Sequence, residues 1–130
     1  TTQLQTVAAI RYVTNGSYLA TIREFETVPC SPEMEPLMSR LKKMADLFEA
    51  STNAVKEAQD QELLDFTARR LMEMAADIIM CHLLIQDASK VADLFSKSAH
   101  VYLNFAEAEV TKHTNFIKNM DKEDLAFYKK

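Results

Sequence analysis

Residues 71–85, LMEMAADIIMCHLLI, limit this chain more than any other stretch. From Ile78 to Ile85 only His82 interrupts the apolar run. On a helix, such a run points apolar side chains around most of the circumference. A helix of that kind is buried on several sides. The run is far short of the ~20 residues that a membrane span needs. It reads as the central helix of a bundle, with one face left over for a partner.

The rest of the chain agrees with a helical fold. Its 130 residues fit one domain and can bury a core. One glycine and three prolines are too few turn-formers for an all-β protein. Alanine, leucine, methionine, glutamate and lysine are abundant, and all favour helix. The net charge is −4 and the lysines are scattered among acids, so no basic stripe suggests nucleic acid. The two cysteines, Cys30 and Cys81, are too few for a disulfide framework. Reduced thiols and a cytoplasmic setting are expected. No segment reads as a signal peptide or a membrane span. The first residue is Thr1 rather than methionine, and the chain reads as a piece excised from a longer protein.

Residues 1–16 are irregular or a linker. Residues 6–13 are β-branched and apolar, and Asn15-Gly16 after them is a hairpin signal. A helix placing Val7, Ile10 and Val13 on one side is the alternative. After Gly16 a helix is expected, with Ser17 as cap and Tyr18, Ile22 and Phe25 on one face. Residues 28–36, VPCSPEMEP, hold all three prolines and form a connector.

Leu37, Leu41, Met44, Phe48, Ser51 and Val55 then repeat at spacings of 4, 3, 4, 3 and 4. That is one continuous seam on a helix running from about residues 33–36 to 58–59. Asp60 caps a third helix, expected over residues 61–87. There Leu64, Ala68, Leu71, Ala75, Ile78 and Leu83 face the core, while Met72, Met74 and Ile79 widen the apolar arc. A fourth helix is expected over residues 93–118. It carries two adjacent lines, one through Leu94, Ser98, Val101, Phe105, Ala108 or Glu109, and Lys112, the other through Ala99, Tyr102, Ala106 and Val110. Residues 121–130 form a charged tail in which Leu125, Phe127 and Tyr128 could dock. Short connections make successive helices antiparallel neighbours. The expected fold is all-α, an up-down-up-down four-helix bundle spanning residues 17–120.

A bundle raises the question of metals. Di-iron bundles use Glu-x-x-His on two helices so that both ligands point inward. Here Ile79, Lys97 and Val110 stand three residues before His82, His100 and His113, so the motif is missing. Glu109 and His113 are four apart, which suits a surface ion pair rather than a metal site with three or four ligands. Cys81-His82 lacks the first cysteine of a haem-attachment motif. One glycine cannot make a phosphate-binding loop. Cys30 has no histidine near it in sequence to activate it. No catalytic, cofactor-binding or metal residue is assigned. The excess apolar arc makes Met72, Met74, Ile79, Met80 and Leu84 the candidate interface.

Residues 16–23, GSYLATIR, followed by a connector and then residues 37–58, resemble the region just past the catalytic body in long bacterial acyl-CoA dehydrogenases. Residues 93–102, DLFSKSAHVY, are similar to the last long helix of the extra C-terminal domain in those enzymes, and residues 113–117, HTNFI, resemble Bacteroides-type members. The resemblance spans about residues 16–120. It implies a non-catalytic C-terminal helical domain that packs on the body, supports dimerisation or shapes access to the substrate. It also implies FAD in the parent protein, with none in this fragment. The parent reaction is α,β-dehydrogenation of an acyl-CoA, and a glutamate of the absent body serves as base. The implied partners are the remainder of the dehydrogenase chain, further copies in a homo-oligomer and an electron-transferring flavoprotein. The residues alone also allow a free-standing bundle that binds a partner helix through a Met-rich groove with Met72, Met74 and Met80 exposed.

Overall fold

A computed structural model describes residues 16–58 and 61–120. The hairpin signal before Gly16, the Asp60 cap and the tail at 121–130 lie outside the described residues. The described chain is all-α. Helix α1 is Ser17–Glu26, a 3-10 turn covers Pro32–Met34, and three long helices follow: α2 (Glu35–Glu57), α3 (Gln61–Lys90) and α4 (Ala92–Asn119). The long helices pack on one another, and α1 closes the bundle against α2 and α3.

Local chemistry sets the boundaries. Gly16 has φ 82, a conformation that strains any side-chain-bearing residue. Its carbonyl accepts the Ala20 N–H at 2.8 Å and so starts α1. Thr27 ends the helix with its N–H on Glu24 O at 3.1 Å, and Pro29 prevents continuation. Pro32 opens the 3-10 turn, and Pro36 sits in the first turn of α2, where a missing N–H is harmless. The link from α3 to α4 is Val91 alone. Its N–H bonds Asp87 O at 2.8 Å, and its carbonyl receives Leu94 and Phe95. No glycine is needed because Val91 reverses the chain at φ −135, ψ 79.

The seam of α2 is buried along its whole length, from Leu37 to Val55. On α3, Ala68, Leu71, Ala75 and Ile78 are buried as expected, but Leu83 is exposed and Leu64 only half-buried. Leu83 lies five residues past Ile78, which at 3.6 residues per turn is about 140° around the helix. Ile85, seven residues on, completes the buried line. On α4 the packing selects the second of the two lines. Ala99, Ala106 and Val110 are buried together with Leu103, while Leu94, Val101 and Phe105 face out.

Polar pins fix the arrangement. Arg23 joins Asp46 at 2.7 Å and Glu26 at 2.9 Å. Arg40 donates to Glu107 at 3.1 Å and to Asn104 at 2.8 Å. Ser31 N–H donates to Ser89 Oγ at 3.0 Å and fastens the proline connector to the end of α3. Such exposed pairs set register more than they stabilise.

Candidate functional site

The five candidate interface residues separate. Met74 is 0% exposed and belongs to the core, so it is not part of a surface. It stands one turn before Ile78 and belongs to the same buried cluster. Met72, Ile79 and Leu84 are half-buried, and Met80 is 44% exposed.

The larger apolar surface is on α4. Leu94 is 66% exposed, Val101 59% and Phe105 54%. With Ser98 they are spaced 4, 3 and 4, the same repeat as the buried seam of α2. Between this line and Leu84 lies an open groove of about 570 Å³, floored by Tyr102 and bordered by Lys97. The second apolar line was legible in the sequence. Nothing local told which line would face outward.

Beneath the groove, Tyr102 donates its hydroxyl to Asp77 at 3.2 Å. Burial raises the Asp77 carboxyl above its ordinary value, against the pull of that hydrogen bond. Burial, and then the charge of Asp77, push Tyr102 up to about 12. Burial likewise lifts the Cys81 thiol to about 12. A thiol held protonated is a poor nucleophile, so Cys81 acts as a small core residue.

His82 is buried and stacks on Phe25, with centroids 5.6 Å apart at 16°. Burial lowers it to about 4. The imidazole is therefore neutral, and its Nε2 has no hydrogen-bond partner. Because the folded-state value lies below the ordinary 6.5, the unfolded chain takes up the proton more readily. Stability is full above about pH 6.5 and is lost as pH falls toward 4, by on the order of 3 kcal/mol at the acid end. His113 shifts in the same direction and adds to the loss. Urea midpoints at pH 7.5 and pH 5 check this. His82→Leu is expected to flatten the difference, and equal wild-type midpoints would sink the account.

His113 corrects the simple pair with Glu109. It is buried, and its Nε2 is nearer Glu73 of α3 (3.1 Å) than Glu109 (3.9 Å). Glu109 pairs with Lys112 at 2.8 Å. On its other side, His113 Nδ1 meets Arg70 at 3.2 Å, and the Arg70 guanidinium lies 3.6 Å over the Phe116 ring. Burial lowers His113; Glu73 opposes this, while Lys112 and Arg70 add to it. The partners on α3 are some forty residues away in sequence, so helical spacing could not show them.

Among the described residues, no group of three or more His, Cys, Asp or Glu is placed to hold a metal. No described helix is long and apolar enough to cross a membrane.

Residues 14–125 match the family described as "Acyl-CoA dehydrogenase C terminal". The chain belongs to that family. The match covers the stretch whose resemblance was read from GSYLATIR through HTNFI. The acyl-CoA dehydrogenase C-terminal fold is also seen in the crystal structure of an acyl-CoA dehydrogenase family protein from Porphyromonas gingivalis. That chain is 43% identical with a TM-score of 0.83, over 88% of this chain and 98% of the other. No curated protein matches the chain.

Proposed function

We propose that this is a non-catalytic C-terminal domain that docks on the dehydrogenase body of its own longer chain through the outer seam of α4. The observation that carries the reading is the line Leu94, Val101 and Phe105, exposed beside the groove at Leu84. Contiguous apolar patches of this kind mark interaction sites. The three side chains expose on the order of a few hundred Å². A stable association between separate proteins buries ~800 Å² per partner. A covalently tethered body needs less, because tethering holds the effective concentration near millimolar. The patch therefore suits an intrachain neighbour better than a second copy. On this reading FAD, the acyl-CoA and the electron acceptor are handled by the body, and the domain supports its shape. The alternative of a Met-rich groove loses its central residue, since Met74 is buried.

Phe105→Asp in the full-length enzyme tests this. Limited proteolysis is expected to release the domain faster than from wild type, with flavin still bound to the body. In the isolated chain the same change is expected to shift stability by no more than about 0.5 kcal/mol, because the site is exposed. Unaltered proteolysis of the full-length variant would overturn the docking role.

A further inference from the structure

We propose that the pocket between α3 and α4 formed by Phe66, Arg69, Arg70, Glu73, Lys112 and His113 binds the phosphate group of a small phosphate ester. The pocket holds about 350 Å³ and lies beyond the groove discussed above, toward the other end of α4. This inference is independent of the docking role.

Arg70 carries the argument. Its guanidinium is half-buried and held from two sides, by the Phe116 ring at 3.6 Å and by His113 Nδ1 at 3.2 Å. Among the described residues no carboxylate lies within ion-pair distance of it. A guanidinium offers five N–H donors in a fixed fork, and one contact to an imidazole leaves most of them unused. Partly buried cations are normally paired. A fork of this kind is matched by a bidentate oxyanion.

His113 adds a second donor. Arg70 can only donate, so Nδ1 is the acceptor and Nε2 carries the proton. That Nε2 is buried in a side chain only 4% exposed, and makes no hydrogen bond although Glu73 Oε2 is 3.1 Å away. Arg69 and Lys112 stand at the rim with long exposed side chains. Arg69 touches Glu73 at 3.4 Å and Lys112 touches Glu109 at 2.8 Å. Arg69, Arg70 and Lys112 stand against Glu73 in the lining and Glu109 beside it, which leaves an excess of one positive charge, centred on Arg70, that favours an anion. The volume is many times the ~30 Å³ of a water, so there is room for the group that carries the phosphate. Phe66, stacked on Phe116 with centroids 6.3 Å apart, supplies an apolar wall for it.

The test is a titration of the chain at constant ionic strength, followed by the NMR signals of the His113 ring. Inorganic phosphate and adenosine monophosphate are the two probes, with chloride as the balancing salt. A saturable shift with both is expected, and tighter binding of the nucleotide identifies an ester as the favoured source. Equal affinity means that the phosphate group alone is recognised. Replacing the two rim cations together, Arg69→Gln with Lys112→Gln, is expected to weaken binding about tenfold and leave the fold intact, since both are exposed. Arg70→Gln is expected to abolish saturation. Should that variant fail to fold, the rim pair still decides. No saturable shift with either probe, or an unchanged affinity in the rim variant, would overturn the proposal.

Discussion

Phe48→Ala is expected to destabilise the domain by about 3–5 kcal/mol, the usual range for removing a buried aromatic ring. Phe48 sits in the middle of the α2 seam, is among the largest fully buried side chains, and belongs to the single cluster that joins α2, α3 and α4. The loss has two parts: the transfer energy of the ring and the cavity it leaves. Long helices gripped on both sides cannot close around such a hole. At about 4 °C per kcal/mol for a domain of this size, the melting temperature should fall by more than ~10 °C. Urea denaturation followed by circular dichroism measures it. Leu47→Ala is the control, since Leu47, the neighbouring residue, is exposed. A loss for Phe48→Ala no larger than for Leu47→Ala would mean that the α2 seam is not the packed centre.

Met74→Ala and Met80→Ala are expected to behave oppositely although they lie six residues apart on one helix. Met74 is fully buried, so its truncation should cost about 2–5 kcal/mol in the isolated domain. Met80 is 44% exposed, and its truncation should cost about 0.5 kcal/mol or less there. On the proposed docking role, Met80→Ala adds to the proteolytic sensitivity expected of Phe105→Asp only if the docked face extends from α4 onto α3. Equal losses for the two methionines in the isolated chain would refute the burial on which this division of α3 rests.

Much of this molecule is legible in its sequence. The 4-3-4 repeat from Leu37 to Val55 specified α2 and its buried face, because a single amphipathic seam can face only one way. The prolines of the connector marked where α1 and α2 part, because proline constrains its own backbone and that of the residue before it. The missing Glu-x-x-His argued against one metal chemistry, because that chemistry depends on local spacing. The family resemblance over residues 16–120 was also carried by local patterns along the chain.

Other features depended on residues distant in sequence. On α4 two apolar lines lay side by side, and only packing against α2 and α3 buried the one with Ala99 and Ala106, leaving Val101 and Phe105 outside. The methionines of α3 were alike in sequence, yet Met74 went inward and Met80 outward because the bundle is closed on one side of α3. The surroundings of His113 depended on Arg70 and Glu73, which helical periodicity on α4 cannot show. Periodicity says that a helix has an apolar face. Which of two such faces is covered, and which charges meet across the cover, depends on packing partners contributed by other parts of the chain.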